Sequence, residues 1–133
     1  MQVLYKSTRG TGEELTASQA ILKGLAEDGG LFVPTSIPVL ETSLEELSQK
    51  SYQEVAYEVM SRFLTDFTEE ELKACISKAY DEKFDTREIA PLVQKGHAYY
   101  LELFHGATIA FKDMALSILP HPVSYTHLTL PTN

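Results

Sequence analysis

The sequence predicts a mixed α/β chain, with short strands at both ends of a helical middle. Three observations lead there. Thr16 with Gln19, Ser43 with Glu46, Ser51 with Gln53-Glu54 and Thr68 with Glu71 are capping boxes, and each opens a stretch of helical character. Residues 2–7 and the run "AYYLELF" at 98–104 have the alternating or aromatic, branched character of strands. Glycine and proline punctuate the chain between these stretches, at Gly29-Gly30, Pro34, Pro38 and Gly96.

In residues 2–7, Val3 and Tyr5 alternate against Gln2 and Lys6, and the polar "TRGTGEE" follows as a loop. The first helix is expected to start after Thr16. Its apolar face would be Ile21, Leu22 and Leu25, joined by Ala17 and Ala20, and Asp28-Gly29-Gly30 would end it through a positive-φ exit. "LFVPTSIP" then reads as an edge strand or a core-packed loop, because Pro34 and Pro38 cannot donate to a central ladder. The helix after Ser51 is expected to bury Val55, Ala56, Val59, Met60, Phe63 and Leu64. The helix after Thr68 is expected to bury Leu72, Cys75, Ile76, Ala79 and Tyr80, with Glu69, Glu70, Lys73 and Lys78 on its solvated face. Residues 81–97 read as a charged connector with a short apolar stretch around Ile89, Leu92 and Val93, broken at Gly96.

Bulk properties narrow the function classes. The 133 residues suit one domain, or one domain plus part of another, and 44% apolar with 23% charged residues is globular composition. Eleven Lys and Arg against nineteen Asp and Glu give a net charge of −8, which argues against nucleic acid and anionic lipid as partners. An anionic small molecule stays open, since a pocket can be locally positive on an acidic protein. Cys75 is the single cysteine, so no intrachain disulfide forms; it is expected to be a small buried hydrophobe in a cytoplasmic, reducing setting. No apolar run is long enough to cross a bilayer, and "MQVLYKSTRG" shows neither an apolar signal core nor a small-residue cleavage site. The histidines 97, 105, 121 and 127 share no ligand spacing, so no metal site is expected.

Residues 122–133, "PVSYTHLTLPTN", carry no acidic or basic side chain. Val123 to Thr132 resembles the translation of a transposase sequencing adaptor over ten consecutive residues. These residues are expected to be a non-native tail and are set aside from fold reasoning.

The chemistry concentrates in "LELFHGATIAFKDMALSILP", residues 101–120. A strand, a turn at His105-Gly106 and a helix starting near residues 108–111 would place Lys112 in a first helical turn, beside Phe111 and ahead of Met114, Ala115, Ile118 and Leu119. Orphan amide groups there, and desolvation by apolar neighbours, both favour the neutral amine that attacks an aldehyde. Asp113 would partly oppose these effects. An ordinary lysine on an amphipathic helix is the bland alternative, and local physics alone favours it.

The same stretch resembles the lysine motif of the threonine synthase family, LELFHGPTLAFKD, differing at Ala107 and Ile109 over thirteen residues. "YKSTRG" and "ILKGLAEDGGLFVP" resemble that family's amino-terminal signature, and the resemblance covers residues 3–120. It implies a pyridoxal-phosphate enzyme of the tryptophan-synthase-β-like fold (fold type II). Residues 1–96 would form the amino-terminal domain and 97–121 the start of the cofactor-binding domain. It implies a carbon–oxygen lyase that converts O-phospho-L-homoserine and water to L-threonine and phosphate. Lys112 would condense with the cofactor and shuttle protons, with Phe111 and Asp113 at the cofactor. His105, Thr108 and Arg9 are candidates for substrate binding. For His105 a turn-stabilising role is the alternative, and for Arg9 a plain surface role, although a guanidinium can meet a phosphate or carboxylate in bidentate geometry. Ala107 loses proline's fixed φ but removes no reacting group.

The sequence shows no glycine-rich phosphate cradle such as SGDTG or GGGNG, and its only asparagine is Asn133. The chain is therefore expected to be an amino-terminal fragment, inactive by itself. Two other readings stay open: a related phospho-lyase releasing 2-oxobutyrate, and a non-catalytic helical interaction module.

Overall fold

A computed structural model describes the backbone of residues 1–129 and the side chains of residues 1–126. Strand β1 (Tyr5–Ser7) pairs antiparallel with β2 (Phe32–Pro34) in the register Tyr5↔Pro34, Lys6↔Val33, Ser7↔Phe32. Pro34 therefore sits at the end of a two-stranded ladder, where its missing N–H costs little. Tyr5 also exchanges both backbone hydrogen bonds with Leu15, at 2.8 Å each.

Between these strands lies α1 (Ala17–Lys23), capped by Thr16 and Gln19 as the sequence predicts. Its end and its buried face both differ from expectation. The helix stops at Gly24, which takes φ 75°, so residues 25–30 form a separate turn. Ala17 and Ala20 are the buried positions, whereas Leu25 is 63% exposed. Small side chains let the helix approach its neighbours closely, and the early stop carries Leu25 off the helical stripe.

Helices α2 (Leu44–Ser48), α3 (Tyr52–Phe63) and α4 (Glu69–Ala79) follow, and each opens on the predicted capping box. In the last of these, Glu71 N donates to Thr68 Oγ1 at 3.1 Å and Thr68 N donates to Glu71 Oε2 at 2.9 Å. Replacing Thr68 by alanine orphans an amide at the head of the helix that carries the core. It is expected to cost about 1 kcal/mol, read as a lower urea midpoint at unchanged m-value.

The core lies on α4 as predicted: Leu72, Cys75, Ile76 and Ala79 are buried, followed by Tyr80, Phe84 and Ile89. Cys75 is fully buried, and burial pushes its thiol up. Helix α3 behaves differently from its prediction, since none of its residues is fully buried and Val59 is exposed. The stripe that meets the core is Tyr52, Ala56 and Met60 with Tyr57, one helical face against α4. The 55-59-63 stripe is turned away from that contact. The amino-terminal segment is tied to the end of α3 by Tyr5 Oη donating to Phe63 O, at 2.8 Å, and to the loop after it by Val3 N donating to Thr65 Oγ1, at 3.0 Å.

Beyond the core, β3 (Leu92–Lys95) and β4 (Ala98–Leu101) form an antiparallel hairpin. Only the second strand is anticipated by the sequence, and it ends three residues early, at Leu101. Gly96 takes φ 61° as the first of two loop residues, the position a type II′ turn reserves for glycine. Leu92, Tyr99, Tyr100 and Leu101 are all exposed.

Two helical pieces close the described chain, α5 (Asp113–Leu116) and α6 (Pro120–Thr129). Met114 and Ile118 pack against the core cluster, and Tyr80 Oη donates to Met114 O at 2.6 Å. Phe111 is exposed. Helix α6 takes in most of the stretch expected to be a non-native tail and packs against α1 and α4. Residues 130–133 of that stretch lie outside the described residues. No helix among the described residues is long and apolar enough to cross a membrane.

Candidate active site

The segment from Glu102 to Asp113 is a folded turn rather than a helix start. Ile109 takes φ 66°, a conformation that a β-branched residue adopts only under strain of about 1–3 kcal/mol and that no right-handed helix contains. Ile109 N donates to Gly106 O at 3.1 Å and Asp113 N to Ala110 O at 3.0 Å, so two successive turns lead into α5. Lys112 is the residue immediately before that helix, with φ −60° and ψ −24°.

Asp113 organises this turn. It is 7% exposed, and its carboxylate accepts from Thr108 N at 2.9 Å and from Thr108 Oγ1 at 2.5 Å. Gly106 is buried against the same side chain: a Cβ there would lie 2.5 Å from Asp113 Oδ2 and 2.6 Å from its Cβ. Gly106, Thr108 and Asp113 thus form one packed unit. Asp113 stands behind the turn, with both carboxylate oxygens engaged by Thr108, and Thr108 is correspondingly committed.

His105 anchors the other end. Its Nδ1 meets Asp85 Oδ1 and its Nε2 lies 2.9 Å from Glu102 Oε1. Bonds to Glu102 and Asp85 hold the imidazole above the ordinary histidine value. His105 thus stabilises the turn, through two carboxylates.

Lys112 is exposed, and among the described residues no hydrogen bond or ion pair engages its Nζ. The desolvation expected from Phe111 is absent, since that ring is 67% exposed, and a four-residue α5 provides little helix field. What the structure does provide is a wall. Lys112 and Phe111 line an open cleft of about 790 Å³ with Tyr52, Leu101, Leu103 and Met114, lined mostly by apolar groups. Tyr52 and Leu103 are cleft residues that sequence reasoning missed. Tyr52 follows the Ser51 cap and Leu103 lies within the predicted strand, but only the tertiary fold brings them to the lysine.

Arg9 lies elsewhere, in the loop after β1, where its Nη1 donates to Asp28 O at 2.7 Å. Asp28 is the hub of that region. It accepts from Ser7 Oγ at 2.6 Å, from Gly30 N at 2.9 Å and from Thr11, and these bonds hold its carboxyl far below the usual carboxylate range. The two amino-terminal sequence blocks, "YKSTRG" and "AEDGGLF", are thereby one structural unit.

The chain is similar to known proteins along most of its length. The family described as "Threonine synthase N terminus" matches residues 4–80. A threonine synthase of Schizosaccharomyces pombe is 44% identical over 122 residues, which are 89% of this chain and 24% of that protein. A crystal structure of PLP-bound threonine synthase from Brucella melitensis superposes with a TM-score of 0.84 at 37% identity, covering 95% of this chain and 28% of that one. Threonine synthase from yeast gives a TM-score of 0.84 at 34% identity, covering 96% and 28%. The chain thus spans about a quarter of the length of the relatives it matches.

Proposed function

The chain belongs to the threonine synthase amino-terminal family, and from that premise we propose that it serves the pyridoxal-phosphate-dependent conversion of O-phospho-L-homoserine and water to L-threonine and phosphate. Lys112 is the residue that condenses with the cofactor's aldehyde. The observation that supports this is its placement: an exposed amine, free of polar partners, on the rim of an open apolar cleft.

The residues present suit part of the cofactor. An unengaged amine suits the aldehyde, and Phe111, Leu101, Leu103 and Tyr52 offer flat or apolar surface for a pyridine ring. No glycine lines the cleft, so these residues provide no amide cradle for the cofactor's phosphate. When bound, pyridoxal phosphate supplies an electron sink for charge developing on the substrate carbons. The chain's own contribution is positional and proton-handling. Lys112 Nζ takes up and returns the protons of the α and β carbons. Phe111 and Leu101 keep water from that side of the reacting centre. Asp113 fixes the lysine's backbone from behind and takes no proton itself. In this reading the side chains of Thr108 and His105 hold the turn through Asp113 and the Asp85–Glu102 pair, and Arg9, which spends Nη1 on Asp28 O, has its other guanidinium N–H groups for an anionic substrate group. Residues 1–96 form the amino-terminal domain, 97–121 begin the cofactor-binding domain, and 122–133 are a non-native tail. A cytoplasmic setting belongs to the same reading, and the buried, unpaired Cys75 agrees with it.

The test is borohydride reduction of the full-length enzyme loaded with pyridoxal phosphate, followed by digestion and peptide mapping. The pyridoxyl label is expected on Lys112; a label on another lysine, or none, overturns the assignment. Assaying the same enzyme for threonine against 2-oxobutyrate separates the synthase from a phospho-lyase.

A further inference from the structure

We propose that His105 is a positioning residue for Lys112: held as an imidazolium between the carboxylates of Asp85 and Glu102, it fixes the entry to the turn that presents the amine. This rests on the reading of Lys112 given above, although the device itself stands on geometry alone.

A neutral imidazole has one donor and one acceptor nitrogen. At His105 both ring nitrogens face carboxylate oxygens, Nδ1 on Asp85 and Nε2 on Glu102. Only the doubly protonated ring can donate to both. The side chain is 15% exposed, and the Phe104 ring lies over it with centroids 4.5 Å apart. The titratable groups facing it are Asp85 from the segment after α4, Glu102 from the exit of β4, and Glu88, whose carboxyl is held below its ordinary value first by the Thr86 hydroxyl and least by His105.

The clamp joins the segment after α4 to the start of the turn. Asp85 N donates to His105 O at 3.0 Å, so backbone and side chain bind the same two stretches together. From His105 the connection to the lysine is continuous. Gly106 packs on Asp113 and accepts from Ile109 N, Asp113 holds Thr108, and Lys112 precedes Asp113. The strained φ of Ile109 needs both ends of the turn to be held. Asp113 secures the far end, and His105 is the group that secures the near one.

The direction of the pH effect follows. The folded state binds the His105 proton more tightly than the unfolded chain does. The clamp's contribution is therefore complete below the unfolded histidine pKa and is lost as pH rises through the folded one. Above that point one nitrogen no longer donates, one carboxylate is released, and the turn loosens.

The test is an NMR titration of the full-length protein without cofactor, following the His105 ring protons together with the amides of Thr108 and Asp113. His105 is expected to titrate at higher pH in the folded chain than in urea, and at lower pH in Asp85→Asn and in Glu102→Gln than in the parent. The Thr108 and Asp113 amides are expected to show a step at the His105 midpoint that moves with it in both variants. A histidine that only joins Asp85 to Glu102 leaves those amides flat through that midpoint, and that result overturns the proposal. So does a midpoint unmoved by both substitutions. If a variant does not fold, the comparison of parent chain with urea, read at the same two amides, still decides. Because no cofactor is used, failure here is distinguishable from failure of the Lys112 assignment, which the borohydride map reads separately.

Discussion

Lys112→Ala in the full-length enzyme is expected to remove the pyridoxyl label altogether and to lower threonine formation by about 10³-fold or more, since it deletes the condensing amine and the proton shuttle together. Lys112→Arg is expected to be as inactive, because a guanidinium keeps the charge but is neither a usable nucleophile nor an exchangeable base at neutral pH. That pair of variants separates chemistry from electrostatics. Folding is not at risk, since the side chain is exposed and makes no polar contact that its loss would orphan. The urea midpoint should therefore stay where it is while labelling and turnover vanish. Lys95, exposed on the hairpin, serves as the control: Lys95→Ala should leave both unchanged. A Lys112→Ala enzyme that still forms threonine at the parent rate would remove the basis for the proposed function and leave the interaction module as the surviving account.

Local rules carried much of the fold. All four capping boxes are present with both reciprocal bonds, because capping is decided within four residues and needs no tertiary information. The buried stripe of α4 was also readable, since a helix packed along one face shows its period directly. The failures share a cause. For α1 and α3 the sequence shows apolar residues on more than one face, and only packing against a neighbour decides which face is buried; Leu25 and Val59 ended outside. Strand β3 is short and half polar, "LVQK", and acquires its identity from pairing with β4.

The candidate site shows the same division. The motif makes Lys112 the candidate, and the structure places it just before a helix and not inside one. The residues that hold it explain why the motif reads as it does. Gly106 is small because Asp113 lies where a Cβ would go, and Thr108 is a hydroxyl because Asp113 needs a donor. Asp85, twenty residues before His105, and Tyr52, sixty before Lys112, carry no local signal of their role, since contacts at that separation exist only once the chain has folded.

Gly30→Ala is expected to be the most damaging single substitution in the amino-terminal part, lowering stability by about 3 kcal/mol through overpacking and lost hydrogen bonds. Its φ is not in the left-handed region, so the reason is space and not backbone freedom. A Cβ would lie 2.1 Å from Ser7 Oγ and 3.0 Å from both Asp28 Oδ1 and Thr8 Oγ1. Ser7 is buried, and its hydroxyl donates to Asp28 while accepting from Arg9 N at 3.1 Å. It cannot move without releasing Asp28 and the loop that carries Arg9. The pH profile then reports the mechanism. Ser7, Thr11 and Gly30 hold the folded Asp28 carboxyl below its unfolded value. Its contribution is therefore present above the unfolded pKa and lost as pH falls through the depressed folded one. Displacing the Ser7 hydroxyl removes the largest cause of that depression, so the acid limb of the stability curve should move to higher pH in Gly30→Ala. Urea midpoints across the acid range would measure both effects. A variant with the parent's midpoint and the parent's acid limb would mean that the two amino-terminal blocks are not joined through Asp28.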